Sequence, residues 1–345
     1  MLAYVYKGNG ELGLVEKPVP HARDDTAVIK ILASSICGTD FRTYVYGSQK
    51  IGEGVTVGHE MCGRIVETGK NVRDFKVGEL VTVAPALGCG ECHMCKKGHT
   101  NMCSHLNTLG FEYDGSFAEY MEIPARFFAM NNVNRVPEGV RPEDAALAEP
   151  IACVVNAQEF LKIEEGDTVA VFGSGFIGCM HAELAFAGGA GRVIMIEPSQ
   201  VRLNQATGVL PRIETVGPGE DPVQKVLQIT QDWGVDVAIV ACSVGAAQVS
   251  AQKIIAKRGR ISLFGGLPGE STGFLDSNII HYKEVGVFGV HASTPKQNKQ
   301  VLEWIGEKKI NVNKYISKLY PIADITEAFE DIKNKGIMKA VIVFG

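Results

Sequence analysis

No window of about 18 uninterrupted apolar residues occurs in this 345-residue chain, so no transmembrane helix is expected. No basic run exceeds a few positions. With a formal net charge of −5, neither nucleic acid nor a membrane surface is expected as a partner. The opening stretch MLAYVYKGNGELGLVEKPVP lacks a basic segment followed by an apolar one, so no signal peptide is expected and the chain reads as cytoplasmic. Internal repeats and low-complexity segments are missing too. An even cysteine count is also lacking: nine cysteines in a chain of this kind argue against a disulfide framework. What remains is 46% hydrophobic residues, ample for a buried core and for two domains of roughly 100–200 residues each.

The organisation changes along the chain. Residues 1–150 carry short β-like runs such as TAVIKILASS, GRIVETG and GELVTVAP, broken by Gly and Pro, which predict an irregular, partly barrel-like sheet. From Ala152 onward, continuous apolar strands (DTVAVFG, VIMIEP, VDVAIVAC, GRISLFGG, EVGVFGV) alternate with helical stretches. That alternation predicts a parallel sheet covered on both faces. After Val290 the pattern changes again, to amphipathic helices in TPKQNKQVLEWIGEKK and ITEAFEDIKNK and a terminal strand in KAVIVFG. This tail is expected to return to the first domain, which would make the second an insertion.

Four of the nine cysteines fall in one short segment, Cys89-x2-Cys92-x2-Cys95-x7-Cys103. Four thiolates suit tetrahedral zinc, and the close spacings let a single loop wrap the ion, with Gly88, Gly90 and Gly98 supplying backbone freedom. All four ligands being cysteine, no position stays open for substrate, so this zinc is expected to be structural. The alternative is four unrelated reduced thiols.

A second signal is GSGFIG, Gly173 to Gly178, between the strand DTVAVFG and a helix. Gly173 permits the tight turn, Gly175 the approach of a pyrophosphate and Gly178 the close packing of helix on strand. The helix N-terminus, at Phe176 and Ile177, offers free N–H groups and positive dipole to phosphates. Glu197, about 20 residues on at the end of VIMIE, supplies the acidic residue of a dinucleotide site. An ordinary glycine-rich strand–helix turn is the alternative.

The third signal is distributed: Cys37 in CGTD, His59 and Glu60 in GHE, and Glu149 in AEP. A catalytic zinc takes about three protein ligands and keeps one exchangeable position. Taken singly, Cys37 could be a small core residue, His59 a hydrogen-bonded histidine, and the two glutamates solvated.

Together these residues resemble the zinc-containing medium-chain dehydrogenases, especially the sorbitol, galactitol-phosphate and threonine dehydrogenase branch. CGTD, VGHE, the four-cysteine loop, DGSFAEY, AEPIACVVNA, GSGFIG and KAVIVFG occur in that family's order through nearly the whole chain. The resemblance implies an α/β fold, a GroES-like β-rich catalytic domain (1–152 and 289–345) with an inserted Rossmann doubly wound parallel sheet (153–288). It also implies two zinc ions per chain, one catalytic and one structural, with NAD(H) as cofactor and a homodimer or homotetramer. Carried over by position, Cys37 and His59 are zinc ligands, and Glu60 or Glu149 adds a carboxylate directly or through water.

The implied activity is hydride transfer between NAD and a secondary alcohol on a polyol, sugar alcohol, cyclitol or a phosphate of these. Threonine or a short-chain secondary alcohol or diol is the alternative substrate, and a catalytically idle zinc protein a further one. A metal-free quinone or enoyl reductase would share the cofactor fold but lack Cys37, His59 and the cysteine loop. Where many relatives end a proton relay in histidine, this chain has Arg42, which stays protonated and cannot act as base. Thr39 is then expected to pass the proton on, and Arg42 to pair with a phosphate or an anionic substrate group. Phe41, Tyr44 and Phe111 are candidate pocket-lining residues, each equally able to be core. At the cofactor, Glu197 favours NAD(H) over NADP(H), while Arg202 is a cation that could reach a 2′-phosphate or stack on adenine.

Overall fold

The computed structural model describes residues 1–267, 269 and 275–345. The chain forms two compact units, Met1–Cys153 with Ala292–Gly345, and Val154–His291.

The first unit is built on a seven-stranded mixed sheet. Its order is Lys318–Pro321, Ala340–Val343, Ala27–Ser35, Glu60–Thr68, Leu80–Val83, Val133–Arg135, with Tyr120–Ile123 pairing Ala27–Ser35 off this path. The strand Ala27–Ser35 is β-branched at Val28, Ile29 and Ile31 and almost continuously buried, so both its faces are covered. One edge of this strand is shared, Ala27–Lys30 pairing Tyr120–Ile123 and Ala33–Ser35 pairing Val341–Val343. The other edge pairs antiparallel with Glu60–Thr68, with irregularities between Val28 and Ile29 and between Ile31 and Ala33. The core around this sheet contains Ile29, Ile31, Ile65, Val81, Phe117, Phe127 and Phe329. The chain's last strand, Ala340–Val343, thus lies in the sheet of the first unit.

The second unit holds a six-stranded parallel sheet in the order Glu214–Val216, Arg192–Ile196, Thr168–Phe172, Val235–Val240, Ile255–Leu263, Gly286–Gly289. Numbered within the unit this is 3-2-1-4-5-6, the doubly wound Rossmann order, with its switch point beside the first strand, Thr168–Phe172. Short apolar strands of Val, Ile and Ala tolerate burial on both faces, and Ala170, Ile194, Ala238, Val240 and Ile261 form the centre of the core. Helix starts carry local signals: Asp221 caps Pro222–Ile229 through the N–H groups of Val223 and Gln224, and Asp276 caps Ser277–Lys283.

One core residue makes this unit sensitive to acid. His181, on the helix Phe176–Ala187, is fully buried in a T-shaped contact with Phe264, at 4.9 Å between ring centroids. Its Nε2 has no hydrogen-bond partner, and burial drives its pKa down to about 3. The folded ring is therefore neutral, while the unfolded ring protonates near its ordinary value of about 6.5. Its contribution is fully present above that value and is lost as pH falls toward about 3. Between neutral pH and about pH 5 the cost is about 2 kcal/mol, at about 1.4 kcal/mol per pH unit below 6.5. Urea unfolding of the wild type should lose that much more than unfolding of His181→Leu over the same pH interval. Parallel stability curves for the two proteins would mean that the ring is not held neutral.

Candidate metal centres and dinucleotide cradle

The four-cysteine segment folds into a sulfur cage. The Sγ atoms of Cys89, Cys92, Cys95 and Cys103 all lie within 4.8 Å of one another. Cys89 Sγ is 4.0 Å from Cys95 Sγ, and Cys92 Sγ is 3.8 Å from Cys103 Sγ. A tetrahedron with Zn–S bonds of about 2.3 Å has edges of roughly 3.8 Å, so the cage has the size zinc requires. Backbone N–H groups point at the sulfurs: Glu91 and Cys92 donate to Cys89, and Cys89 and His105 donate to Cys103. Such donors stabilise thiolate, the form that binds metal. The N–H groups of Cys95 and Ser104 likewise bring Cys92 down to about 5. Of the three flanking glycines, Gly90 and Gly98 have positive φ, but Gly88 does not. Its role is space, because a Cβ there would lie 2.8 Å from Cys95 Sγ.

The second cluster is assembled by strand register. Ser35 pairs with Glu60 and Ser34 with Met61, so the end of one strand and the start of its neighbour lie side by side. The first strand leads through Ile36 into the helix Gly38–Tyr46, whose N-cap is Cys37. Cys37 Sγ accepts the Thr39 N–H at 3.4 Å, while Asp40 Oδ2 accepts the Cys37 N–H at 3.0 Å, a reciprocal capping box that fixes the thiol. Cys37, His59 and Glu60 offer ligand atoms that all lie within 4.8 Å of one another. Glu149 lies outside that set.

The electrostatics of this cluster favour a cation. Burial alone would lower the pKa of His59, but Asp40, then Cys37 and Glu149, outweigh it and hold the imidazole well above its usual value. His59 Nδ1 sits 3.5 Å from Asp40 Oδ1. Glu60 is fully buried. Its Oε2 accepts from Ser35 Oγ and, at 2.6 Å, from Lys339 Nζ, while its Oε1 is buried with no hydrogen-bond partner. An unpaired buried carboxylate oxygen is costly unless something positive meets it. Sulfur, imidazole and carboxylate donors, with His59 Nδ1 and Glu60 Oε1 both buried and without a hydrogen-bond partner, fit a zinc ion.

Around the cluster, Glu149 starts the helix Ala148–Leu161, and burial pushes it up to about 7. Cys153, one turn on, donates to Glu149 Oε1 at 3.5 Å. Thr39 and Arg42 are both exposed on the helix Gly38–Tyr46. The three aromatic candidates separate. Phe111 faces His59, with ring centroids 6.3 Å apart. Tyr44 stacks on Phe329 at 4.8 Å and donates to Glu330 at 2.6 Å, so it is tied into the core. Phe41 also packs against the core.

The glycine motif forms a cradle. Gly173 has φ +100°, a left-handed conformation that favours glycine. A Cβ on Gly178 would lie 1.9 Å from the Gly173 carbonyl oxygen, so helix and loop close only without a side chain there. A Cβ on Gly175 would meet open space, which leaves room for a ligand against the backbone. Gly175 caps the helix Phe176–Ala187; Phe176 is buried and Ile177 half-buried. Glu197, at the end of the second strand, is buried against this loop. Arg202 is exposed on the helix Gln200–Val209. These features fit a dinucleotide phosphate and its adenosine ribose.

Residues 23–137 match the family model described as alcohol dehydrogenase GroES-like domain, and residues 177–307 match zinc-binding dehydrogenase. The chain is 33% identical over 341 residues to the sorbitol dehydrogenase of Halalkalibacterium halodurans, covering 97% of this chain and 96% of that one. The chain belongs to the zinc-containing medium-chain alcohol and polyol dehydrogenases. It is also 34% identical over 323 residues to the L-threonine 3-dehydrogenase of Pyrococcus furiosus, covering 92% and 90% of the two chains. Among solved structures, galactitol-1-phosphate dehydrogenase from Escherichia coli superposes with a TM-score of 0.87 at 25% identity, over 99% of this chain and 100% of that one. The fold is the GroES-like catalytic domain with a Rossmann sheet, and zinc and a nicotinamide dinucleotide are the cofactors of this dehydrogenase family. Among the described residues no helix is long and apolar enough to cross a membrane.

Three residues that contact the candidate site residues were not read from the sequence. Lys339 is 5% exposed and donates to Glu60 and, at 2.9 Å, to the carbonyl of Ile36, the residue before Cys37. Ser35 completes the grip on Glu60. Ser174, inside the glycine motif, holds Glu197. For Lys339 the hint available was a single cation directly before the apolar strand AVIV.

Proposed function

We propose that this chain catalyses NAD(H)-linked oxidation of a secondary alcohol on a polyol, sugar alcohol, cyclitol or a phosphate of these, and the reverse reduction of the ketone. One observation carries the reading: Cys37, His59 and a carboxylate oxygen of Glu60 converge within 4.8 Å, on a buried glutamate whose Oε1 has no hydrogen-bond partner. The polyol class draws on the sorbitol and galactitol-1-phosphate dehydrogenases that the chain resembles.

In this reading Cys37, His59 and Glu60 hold the catalytic zinc, and Glu149 stands beside them as a carboxylate able to join through water. Zinc at that position supplies Lewis acidity, which lowers the pKa of a substrate hydroxyl and polarises a ketone in the reverse direction. Asp40 Oδ1, 3.5 Å from His59 Nδ1, faces the imidazole as a charge partner and is placed to orient it. Thr39 Oγ carries the substrate proton toward solvent, because Arg42 cannot act as base. Arg42, exposed at the same helix, takes an anionic group of cofactor or substrate. Gly173, Gly175, Gly178 and the N–H groups at Phe176 and Ile177 cradle the pyrophosphate. Glu197 binds the adenosine ribose, with Arg202 on the following helix nearby in sequence. A nicotinamide dinucleotide held by these residues would supply the hydride-accepting chemistry. Cys89, Cys92, Cys95 and Cys103 hold a second zinc that has no open position and serves the fold.

The cofactor choice is testable on its own. A 2′-phosphate at Glu197 would meet a fixed negative charge, so catalytic efficiency with NAD should exceed that with NADP on one substrate. Glu197→Ser should narrow the ratio. Higher efficiency with NADP in the wild type would overturn the assignment of Glu197.

A further inference from the structure

We infer that Glu197 reads one adenosine ribose hydroxyl rather than two, and that Ser174 is the positioning residue responsible. The inference rests on the dinucleotide reading above and sharpens it. An ionised carboxylate offers about four acceptor positions on its two oxygens. Glu197 Oε2 accepts the Ser174 backbone N–H at 3.0 Å and the Ser174 hydroxyl at 3.2 Å. Oε1 accepts the Ser199 backbone N–H at 3.0 Å. Two bonds on Oε2 and one on Oε1 occupy three of about four positions, leaving one on Oε1.

The grip is rigid for stated reasons. Ser174 is 1% exposed and Glu197 5% exposed, so both sit away from water. Ser174 lies between Gly173, held at φ +100°, and Gly175, which caps the following helix, so its N–H direction is set by the loop. Ser199 is itself the N-cap of the helix Gln200–Val209. Turning Oε2 toward a second ribose hydroxyl would strand a buried N–H and a buried hydroxyl together, and unpartnered buried donors are strongly disfavoured. Glutamate reaches the loop because it is one methylene longer than aspartate, so its length directs the carboxylate into the motif as well as toward the ligand. The single remaining position on Oε1 then accepts one hydroxyl.

The test uses whole zinc-loaded protein and four probes: NADH, 5′-AMP, 2′-deoxy-5′-AMP and 3′-deoxy-5′-AMP. Each adenylate is titrated against bound NADH by its fluorescence. In the wild type, one deoxy nucleotide should bind within about twofold of AMP and the other about tenfold more weakly, the loss expected for one hydrogen bond to a charged acceptor. Ser174→Ala frees a position on Oε2, so in that variant both deoxy nucleotides should bind more weakly than AMP. Ser174→Thr, which keeps the hydroxyl, should retain the wild-type pattern. Equal losses for both deoxy nucleotides in the wild type, or no loss for either, would overturn the inference while NADH binding left the dinucleotide reading standing. An unchanged pattern in Ser174→Ala would remove Ser174 from the account. Failure of NADH itself to bind would count against the dinucleotide reading instead.

Discussion

Replacing Lys339 by methionine should destabilise the first unit by about 3–5 kcal/mol in the metal-free protein, the range found when one partner of a buried ion pair is removed. Methionine preserves most of the aliphatic stem, so the loss is that of the ammonium group. Glu60 Oε2 then keeps only Ser35 Oγ, and the Ile36 carbonyl loses the Lys339 donor. Because Glu60 Oε1 has no hydrogen-bond partner, the variant leaves a buried carboxylate without its cation. Zinc supplies positive charge at the same carboxylate, so zinc should recover more stability in Lys339→Met than in the wild type. The double variant Lys339→Met with Glu60→Gln, which removes the stranded charge, should be more stable than the single one without metal. Denaturant unfolding of metal-free and zinc-loaded proteins measures all three. A loss under about 1 kcal/mol, insensitive to zinc, would show that the pair is not coupled to the metal ligands.

Features contained in one short segment were legible in the sequence. The four-cysteine loop was legible as a metal-type spacing, the glycine motif as a dinucleotide signal only with its flanking strand, helix and Glu197, and the family as the order of short motifs along the chain. The doubly wound sheet was legible because buried parallel strands read as unbroken apolar runs. Relations between distant segments were not legible. Ile36 and Lys339 are separated by 303 positions and Glu60 and Lys339 by 279, and they meet only because the terminal strand pairs with Ala27–Ser35. The relative standing of Glu60 and Glu149 depends on strand register, since Ser35 opposite Glu60 brings that carboxylate beside Cys37. Tyr44 could have lined a pocket or the core. Its stacking on the buried Phe329 assigns it to the core. Glu197 carried a ribose-binding signal, but its three protein donors, two of them from Ser174, appear only when loop and strand end are in contact.

The second large effect concerns Cys37. Cys37→Ala removes the one thiolate of the proposed catalytic zinc and leaves the four-cysteine cage intact. Turnover should fall at least ~100-fold, beyond the ~10–100-fold that outer partners of metal ligands cost. The fold should survive, because the structural zinc and both sheets are untouched. Thermal unfolding should stay cooperative, with the midpoint lowered by the lost helix cap and the lost catalytic-site zinc, and with the four-cysteine zinc still present.

The most direct test joins metal content to chemistry in that same pair of proteins. Wild type and Cys37→Ala are analysed for zinc per chain. Each is then followed by absorbance of the reduced nicotinamide with NAD and a panel of sorbitol, other sugar alcohols, cyclitols, their phosphates and L-threonine. The account predicts two zinc ions per wild-type chain and one in the variant, with NAD reduction by at least one polyol or polyol phosphate in the wild type alone. A variant that kept two zinc ions and the wild-type rate, or a fully zinc-loaded wild type that oxidised L-threonine and no polyol, would contradict it.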